Sequence, residues 1–515
     1  MYFMEAQFGG SALNQKTILN HPVGLFVLFF TEMWERFSYY GMRAILVLYL
    51  VAETGIDNPG LGWANDSAVA LYGWYTMFVY VASIPGGIIA DKLLGQRKSV
   101  FVGGLLLVAG HSVLAIELMW AFYAGLALIV MGVGMLKPNI STMVGSLYPK
   151  NEQNKRDMGF YIFYMGINIG AALSAIIVGY VGQNIGWHYG FGLAGIGMAI
   201  GQLTYWYGQK YISHVGNLVV DDRPEKDQQK GNLLIQIFQQ QNALIGFLVV
   251  TLSGLFIWLG LGIWDYGLLI IGLAFAVGVG FVVYNDGNKV EKDRILVTYL
   301  SFLMIIVFWG AFEQAGGLMN LYADQKTDLT FGNFNIPASW FQSVNAIFIL
   351  IFATIVGSFW VWWKNRGKES SSLLKMAVGV IIMGWGFFFM SIASGEVVYD
   401  ESNNIIAKSS MYWLVLAYLF HTLGELCASP VALSFITKLA PERWMAFMMG
   451  AYFAATGLGN KVAGLLGESA SDYGEYSIFT GIAIFCTIFG VLVLIILKPL
   501  KRLTHKAEDL ENINK

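Results

Sequence analysis

Charge is scarce in this chain: of its 515 residues only 12% are Asp, Glu, Lys or Arg, against 56% that are hydrophobic. The apolar runs that result are too long for the core helices of a soluble domain, so the class implied is an all-α polytopic membrane protein. Cysteine is nearly absent. Cys427 and Cys486, both in apolar segments, exclude a disulfide framework, leave redox chemistry and structural zinc without support, and read as packing residues. Histidine is also sparse, with six in the chain, and His111, His188 and His421 stand isolated without ligand spacing, so no metal and no cofactor are expected. No nucleophile and base pair appears, which argues against an enzyme. No nucleic-acid partner is indicated, a net charge of −2 is uninformative taken whole, and the first twenty residues lack the basic start and cleavage site of a secretory signal.

What the chain does have is runs of roughly twenty apolar residues. They fall near 23–52, 68–94, 99–119, 121–146, 158–184, 187–211, 242–262, 265–285, 295–323, 338–363, 373–394, 411–438, 442–466 and 476–498, fourteen spans in all. Lys and Arg distribute unevenly about them. The N-terminus, the connections near 92–98, 150–156, 210–230, 289–294, 364–375 and 438–443, and the tail from Lys498 hold 25 of the 31. The alternate connections hold Lys326, Lys408 and Lys461, and Arg36, Arg43 and Lys137 fall within spans. Positive residues favour the cytoplasmic side, so both termini are expected there, in the inner (cytoplasmic) membrane.

The polar stretch His214 to Lys230 and the shorter one at Asn285 to Arg294 divide the spans into six, two and six. The expected organisation is a cytoplasmic segment 1–21, a six-helix bundle 22–212, a linker 213–241, an accessory hairpin 242–285 facing lipid, a linker 286–294, a second bundle 295–500 and a cytoplasmic tail 501–515. Two six-helix halves around a midplane site are the plan of the major facilitator fold. Gly87-Ile-Ile-Ala-Asp91-Lys92-Leu-Leu-Gly95-Gln-Arg97-Lys98 resembles the loop signature of that superfamily, with Asp91 and Arg97 set to latch helix ends.

Within the spans, charge becomes informative. Glu32, Glu35, Arg36, Tyr39, Tyr40 and Arg43 recur every three or four residues and share one helix face. Charges in a membrane helix normally line a path or pair with one another. Lys137, in Gly132-Val-Gly134-Met-Leu-Lys137-Pro138-Asn139, needs a partner. With Arg36 it would bind a carboxylate, Glu32 or Glu35 neutralising the site when it is empty. Glu313 and Glu425 are acids without a neighbouring base in sequence, as a proton carrier requires. Asn168 and Asn345 would supply neutral hydrogen bonds to an amide or amine, and Tyr39, Tyr40, Tyr80, Trp309 and Tyr452 would wall a pocket. His421, one turn from Glu425, is placed to tune it. Cations gather in the first half and acids in the second, so a zwitterion such as a peptide would lie between them.

Glu32-Met-Trp-Glu35-Arg36-Phe37-Ser38-Tyr39-Tyr40-Gly41 resembles the ExxERFxYYG signature of proton-dependent oligopeptide transporters. Phe160-Tyr-Ile-Phe163-Tyr164-Met-Gly-Ile167-Asn168-Ile-Gly170 is similar to the family's second signature. Phe308-Trp309 through Glu313-Gln314, Phe341-Gln342-Ser343-Val344-Asn345, and Gly424-Glu425 through Ser429-Pro430 are similar to its later motifs, over about residues 22–500. The resemblance implies substrate contact by Arg36, Tyr40, Tyr80, Lys137, Asn168, Trp309, Asn345, Glu425, Ser429 and Tyr452. It implies proton coupling through Glu32, Glu35, Arg36, Lys137 and Glu313, and gating by Arg43 with Glu313 and by Asp91 with Arg97. Gly73 stands where mammalian relatives have a functional His, Ala346 where the family often has Pro, and Tyr452 where several bacterial relatives have Trp.

The expected activity is proton-coupled import of di- and tripeptides by alternating access, with the lipid bilayer as the other partner and protein partners undefined. A same-fold carrier for nitrate or another small anion, and a receptor that does not transport, stay open.

Overall fold

In a bilayer every backbone N–H and C=O has to find its partner within the protein, which makes a long apolar segment helical. The computed structural model describes residues 16–55, 57–149, 152–218, 284–285, 287–441 and 445–507. Their long helices are α1 Val23–Val51, α2 Asn65–Val81, α3 Ser83–Ile89, α4 Gln96–Leu114, α5 Met119–Ser146, α6 Gln153–Asn184 and α7 Trp187–Ile212. The series continues with α8 Lys289–Phe312, α9 Leu318–Lys326, α10 Phe341–Asn365, α11 Ser372–Glu396, α12 Met411–Leu439, α13 Met445–Tyr473, α14 Glu475–Ile495 and α15 Leu497–Leu503. Among the described residues strands are confined to two- and three-residue pairs outside the long helices. Of the fourteen expected spans twelve coincide with these helices, and the hairpin at 242–285 lies outside the described residues but for its last two.

Among the described residues nine helical stretches are long and apolar enough to cross a membrane. The other three expected spans, α1, α7 and α13, are helical at membrane length but carry more polar residues, α1 its four charges and α13 Asn460, Lys461 and Glu468.

Two spans are interrupted where the sequence reads as continuous. The second breaks at Ala82 into α2, α3 and a π turn Ala90–Leu94. The ninth ends as an α-helix at Phe312, tightens into a 3₁₀ turn Glu313–Ala315, and restarts as α9 after Gly316 and Gly317. Ala346 sits in unbroken helix. A further correction concerns Lys461, counted with the connections although it falls inside the span near 442–466: it lies in the middle of α13 with 1% of its surface exposed. Counting cations by side cannot distinguish a loop lysine from one drawn into a bundle.

The chain divides into two compact units. The larger comprises Met1–Val219, Met304–Val431 and Phe453–Leu494, the smaller Val220–Leu303, Ala432–Tyr452 and Ile495–Lys515. In the larger unit small residues let backbones meet. A β-carbon on Gly134 would lie 2.5 Å from the Ala82 carbonyl oxygen, and one on Gly132 2.8 Å from that of Gly103, so α5 packs tightly on α3 and α4. In the smaller unit Arg294 Nε donates to the Thr504 carbonyl at 3.1 Å and His505 Nε2 pairs with Asp293 Oδ2 at 2.7 Å, tying the start of α8 to the chain after α15.

Candidate functional site

Glu32, Glu35, Arg36 and Arg43 are all at least nine-tenths buried on α1. A buried charge stays in place only when another compensates it. Arg36 serves both nearby acids: its Nε lies 3.1 Å from Glu32 Oε1, one turn away, and it also donates to Glu35 Oε2. The Tyr39 and Tyr40 rings cover its guanidinium, with centroids 5.6 and 5.7 Å from Cζ. These contacts leave Lys137 differently placed from expectation. Among the described residues no carboxylate comes within ion-pair distance of it, and its ammonium rests 3.9 Å from the centre of the Tyr80 ring. Both acids are bound to Arg36, and a π face takes the role expected of an anion for Lys137.

Seven residues on, Arg43 reaches across to the other half of the chain. Its Nη1 donates to both carboxylate oxygens of Glu313 at 3.0 Å, the expected pairing. Tyr72, which sequence reasoning passed over, adds a third bond, its hydroxyl donating to Glu313 Oε2 at 2.9 Å. The signal was present, since Tyr72 and Tyr80 lie eight residues apart on one face of α2. The break after Glu313 makes room for this contact: a β-carbon on Gly316 would collide with the Tyr72 hydroxyl. Beside it, Asn320 Nδ2 donates to the Ala44 carbonyl at 2.9 Å, so α1 and α9 also meet through a neutral bond.

In the second half, Asn345 Nδ2 donates to Glu425 Oε2 at 2.9 Å and to Thr422 Oγ1 at 3.0 Å, joining α10 to α12. Among the described residues Glu425 has no cationic partner in contact. Asn168 is buried but donates to Tyr164 O of its own helix at 2.9 Å. Trp309 packs edge-on against Phe308 and Phe312, and Ser429 is half-buried one turn beyond Glu425. Tyr452, half-buried on α13, belongs to the smaller unit. His421 departs from expectation: its ring packs on Phe387, 4.5 Å between centroids, and against Gly386 on α11, and both ring nitrogens are buried without a hydrogen-bond partner among the described residues. It faces away from a role beside Glu425.

Arg97 Nη1 donates to the Ser213 carbonyl at 3.0 Å and its backbone N–H to Gly216 O at 2.8 Å, so it fastens the end of α7. Asp91 lies in the preceding π turn. Between them Gly95 has φ +77°, and a β-carbon there would stand 2.5 Å from Leu218 N, so only glycine fits.

Membrane-length helices whose charges turn inward and pair across the chain are the construction of a membrane carrier rather than of an enzyme. The comparisons agree. The sequence model of the POT family matches residues 97–476. A di-/tripeptide transporter of Lactococcus lactis subsp. cremoris is 37% identical over 499 residues, covering 95% of this chain and 98% of the relative. Bacillus subtilis (strain 168) has a transporter, YclF, also 37% identical, covering 95% and 96%. A crystal structure of a peptide transporter POT in complex with sulfate superposes with a TM-score of 0.82 at 34% identity, covering 96% of this chain and 98% of that one. The chain belongs to the POT family, and its fold is the all-α major facilitator architecture.

Proposed function

We propose that this protein is a proton-coupled symporter that imports di- and tripeptides across the cytoplasmic membrane by alternating access, its termini cytoplasmic and its bundles at 22–212 and 295–500 moving against each other. The observation that carries the reading is the division of charge within one buried system. Cations Arg36 and Lys137 stand in the first half, and the Glu425 carboxylate, without a cation in contact among the described residues and held by Asn345, stands in the second. A peptide offers the complement, a carboxylate for the former and an ammonium for the latter. Tyr40, Tyr80, Asn168, Trp309, Ser429 and Tyr452 complete the proposed peptide contacts.

The Glu32–Arg36–Glu35 cluster supplies the coupling. With both acids ionised, each holds Arg36 through its Nε. A proton on either acid releases part of the guanidinium for the incoming carboxylate, and loss of that proton on the cytoplasmic side restores the cluster and expels the peptide. Each charge moved inward gains about 2.3 kcal/mol per 100 mV. Arg43 with Glu313 closes the outer side, and Arg97 and Asp91 hold the cytoplasmic helix ends. The names of the relatives support the peptide substrate. A small-anion carrier would have little use for two acids beside its cations.

The test is uptake of labelled dialanine into proteoliposomes with an inside-negative potential and acidic exterior. Accumulation above equilibrium, abolished by an uncoupler and absent from Lys137→Ala, is the expected result. Concentrative uptake by Lys137→Ala would overturn the site assignment. No uptake by well-folded wild-type protein would overturn the substrate.

A further inference from the structure

Lys461 is a buried cation that the carrier site does not use. It projects from the middle of α13, and its ammonium meets two groups: Glu468 Oε1 at 3.1 Å and the face of Trp74 on α2, 4.7 Å from the ring centre. Glu468 lies two turns further along the same helix. Side chains lean toward the helix N-terminus, so Glu468 reaches back as Lys461 extends forward to it. This pairing spans seven residues and has no i,i+4 signature. Trp74 is braced in turn, stacked on Phe78 with 5.7 Å between centroids and 22° between planes.

The cation sits on a seam where α2 and α13 touch through backbone. A β-carbon on Gly73 would lie 2.8 Å from Gly464 Cα, one on Gly457 would lie 3.0 Å from Met77 O, and Asn460 Nδ2 donates to Thr76 O at 3.4 Å. One helix belongs to each half of the chain. A desolvated lysine in a membrane bundle is costly unless it makes a contact the protein uses, and Glu468 alone would neutralise it within α13. The contact that reaches beyond its own helix is the one to Trp74.

We propose that Lys461 is a positioning residue of the transport cycle. Its ammonium, held in place by Glu468, pins α13 to Trp74 of α2 in the conformation seen here and leaves that ring when the two helices part. The contact therefore weights the equilibrium between conformations without touching substrate. The proposal rests on alternating access. A cation over a desolvated indole changes a two-state equilibrium by about two- to thirtyfold.

The experiment measures that equilibrium directly. Spin labels replace exposed Ser67 at the start of α2 and exposed Asp472 at the end of α13, in a background with Cys427 and Cys486 changed to Ser, and distance distributions are recorded in nanodiscs. Lys461→Met and Trp74→Leu should each move the population toward longer distances within the stated range. The double variant should move it no further than either alone, and Lys461→Arg should restore the wild-type distribution. Unchanged distributions in both single variants, or strictly additive shifts in the double, would overturn the proposal. Dialanine uptake by the wild-type protein in parallel vesicles separates the two readings: a wild type that fails to transport sinks the function, whereas a wild type that transports while both single variants keep its distance distribution sinks only the role of Lys461.

Discussion

Removing the Tyr72 hydroxyl isolates one bond in the contact that joins the two halves. Tyr72→Phe keeps the ring and leaves Arg43 bound to both oxygens of Glu313, deleting only the 2.9 Å bond to Oε2. A hydrogen bond to a charged group contributes about 1.5–3 kcal/mol, so the open population should rise about ten- to 150-fold where that bond exists only in the closed state. A single cysteine at Ala44, fully buried beneath Asn320 in a background lacking Cys427 and Cys486, reports the opening. When opening and closing are fast, its alkylation rate tracks the open population. A second arm sharpens the test. In a Glu313→Gln background the acceptor is neutral, the bond falls to about 0.5–1.5 kcal/mol, and Tyr72→Phe should accelerate alkylation only about two- to twelvefold. An unchanged rate, or an equal acceleration in both backgrounds, would refute the reasoning.

Glu425→Gln should raise the KM of peptides with free amino termini about tenfold or more, the loss of a charged contact, and leave N-blocked peptides little affected; equal effects on both would remove its role at the amino end. His421→Leu should leave uptake within about twofold of wild type, because the ring nitrogens bond nothing and the ring packs on Phe387; a shifted pH profile would restore a link to Glu425. Gly95→Ala should cost about 1–3 kcal/mol through its positive φ and the approach of Leu218 N, read as a lowered thermal midpoint of the purified protein with peptide affinity unchanged in the surviving fraction.

Most of the helical plan was legible, because a membrane span is announced by unbroken apolar length and needs no partner to form. Arg43 and Glu313 are far apart in sequence, so only the resemblance joined them, whereas the bond of Asn345 to Glu425 is a finding of the structure, each having been expected only to touch substrate. What the chain hides is local and three-dimensional. The break at Glu313 depends on the Tyr72 hydroxyl entering where Gly316 lacks a side chain, a fact of α2 rather than of the ninth span. Lys461 was counted with the connections although it falls inside the span near 442–466, and its partner Glu468, seven residues on, lies outside the spacings at which helical pairs are sought. His421 shares a helix with Glu425 and was assigned by that proximity, but the void beside Gly386 drew its ring toward α11 instead.

The contact of Gly73 with Gly464 has a mechanical consequence. Helices that interlock through large side chains move past each other in jumps, since each knob has to leave one hollow before it enters the next. Bare backbone offers no knobs. At that one crossing α2 and α13 can roll by small angles before they part, much as a shaft turns in a plain bearing, and a single methyl group at either glycine would act as grit.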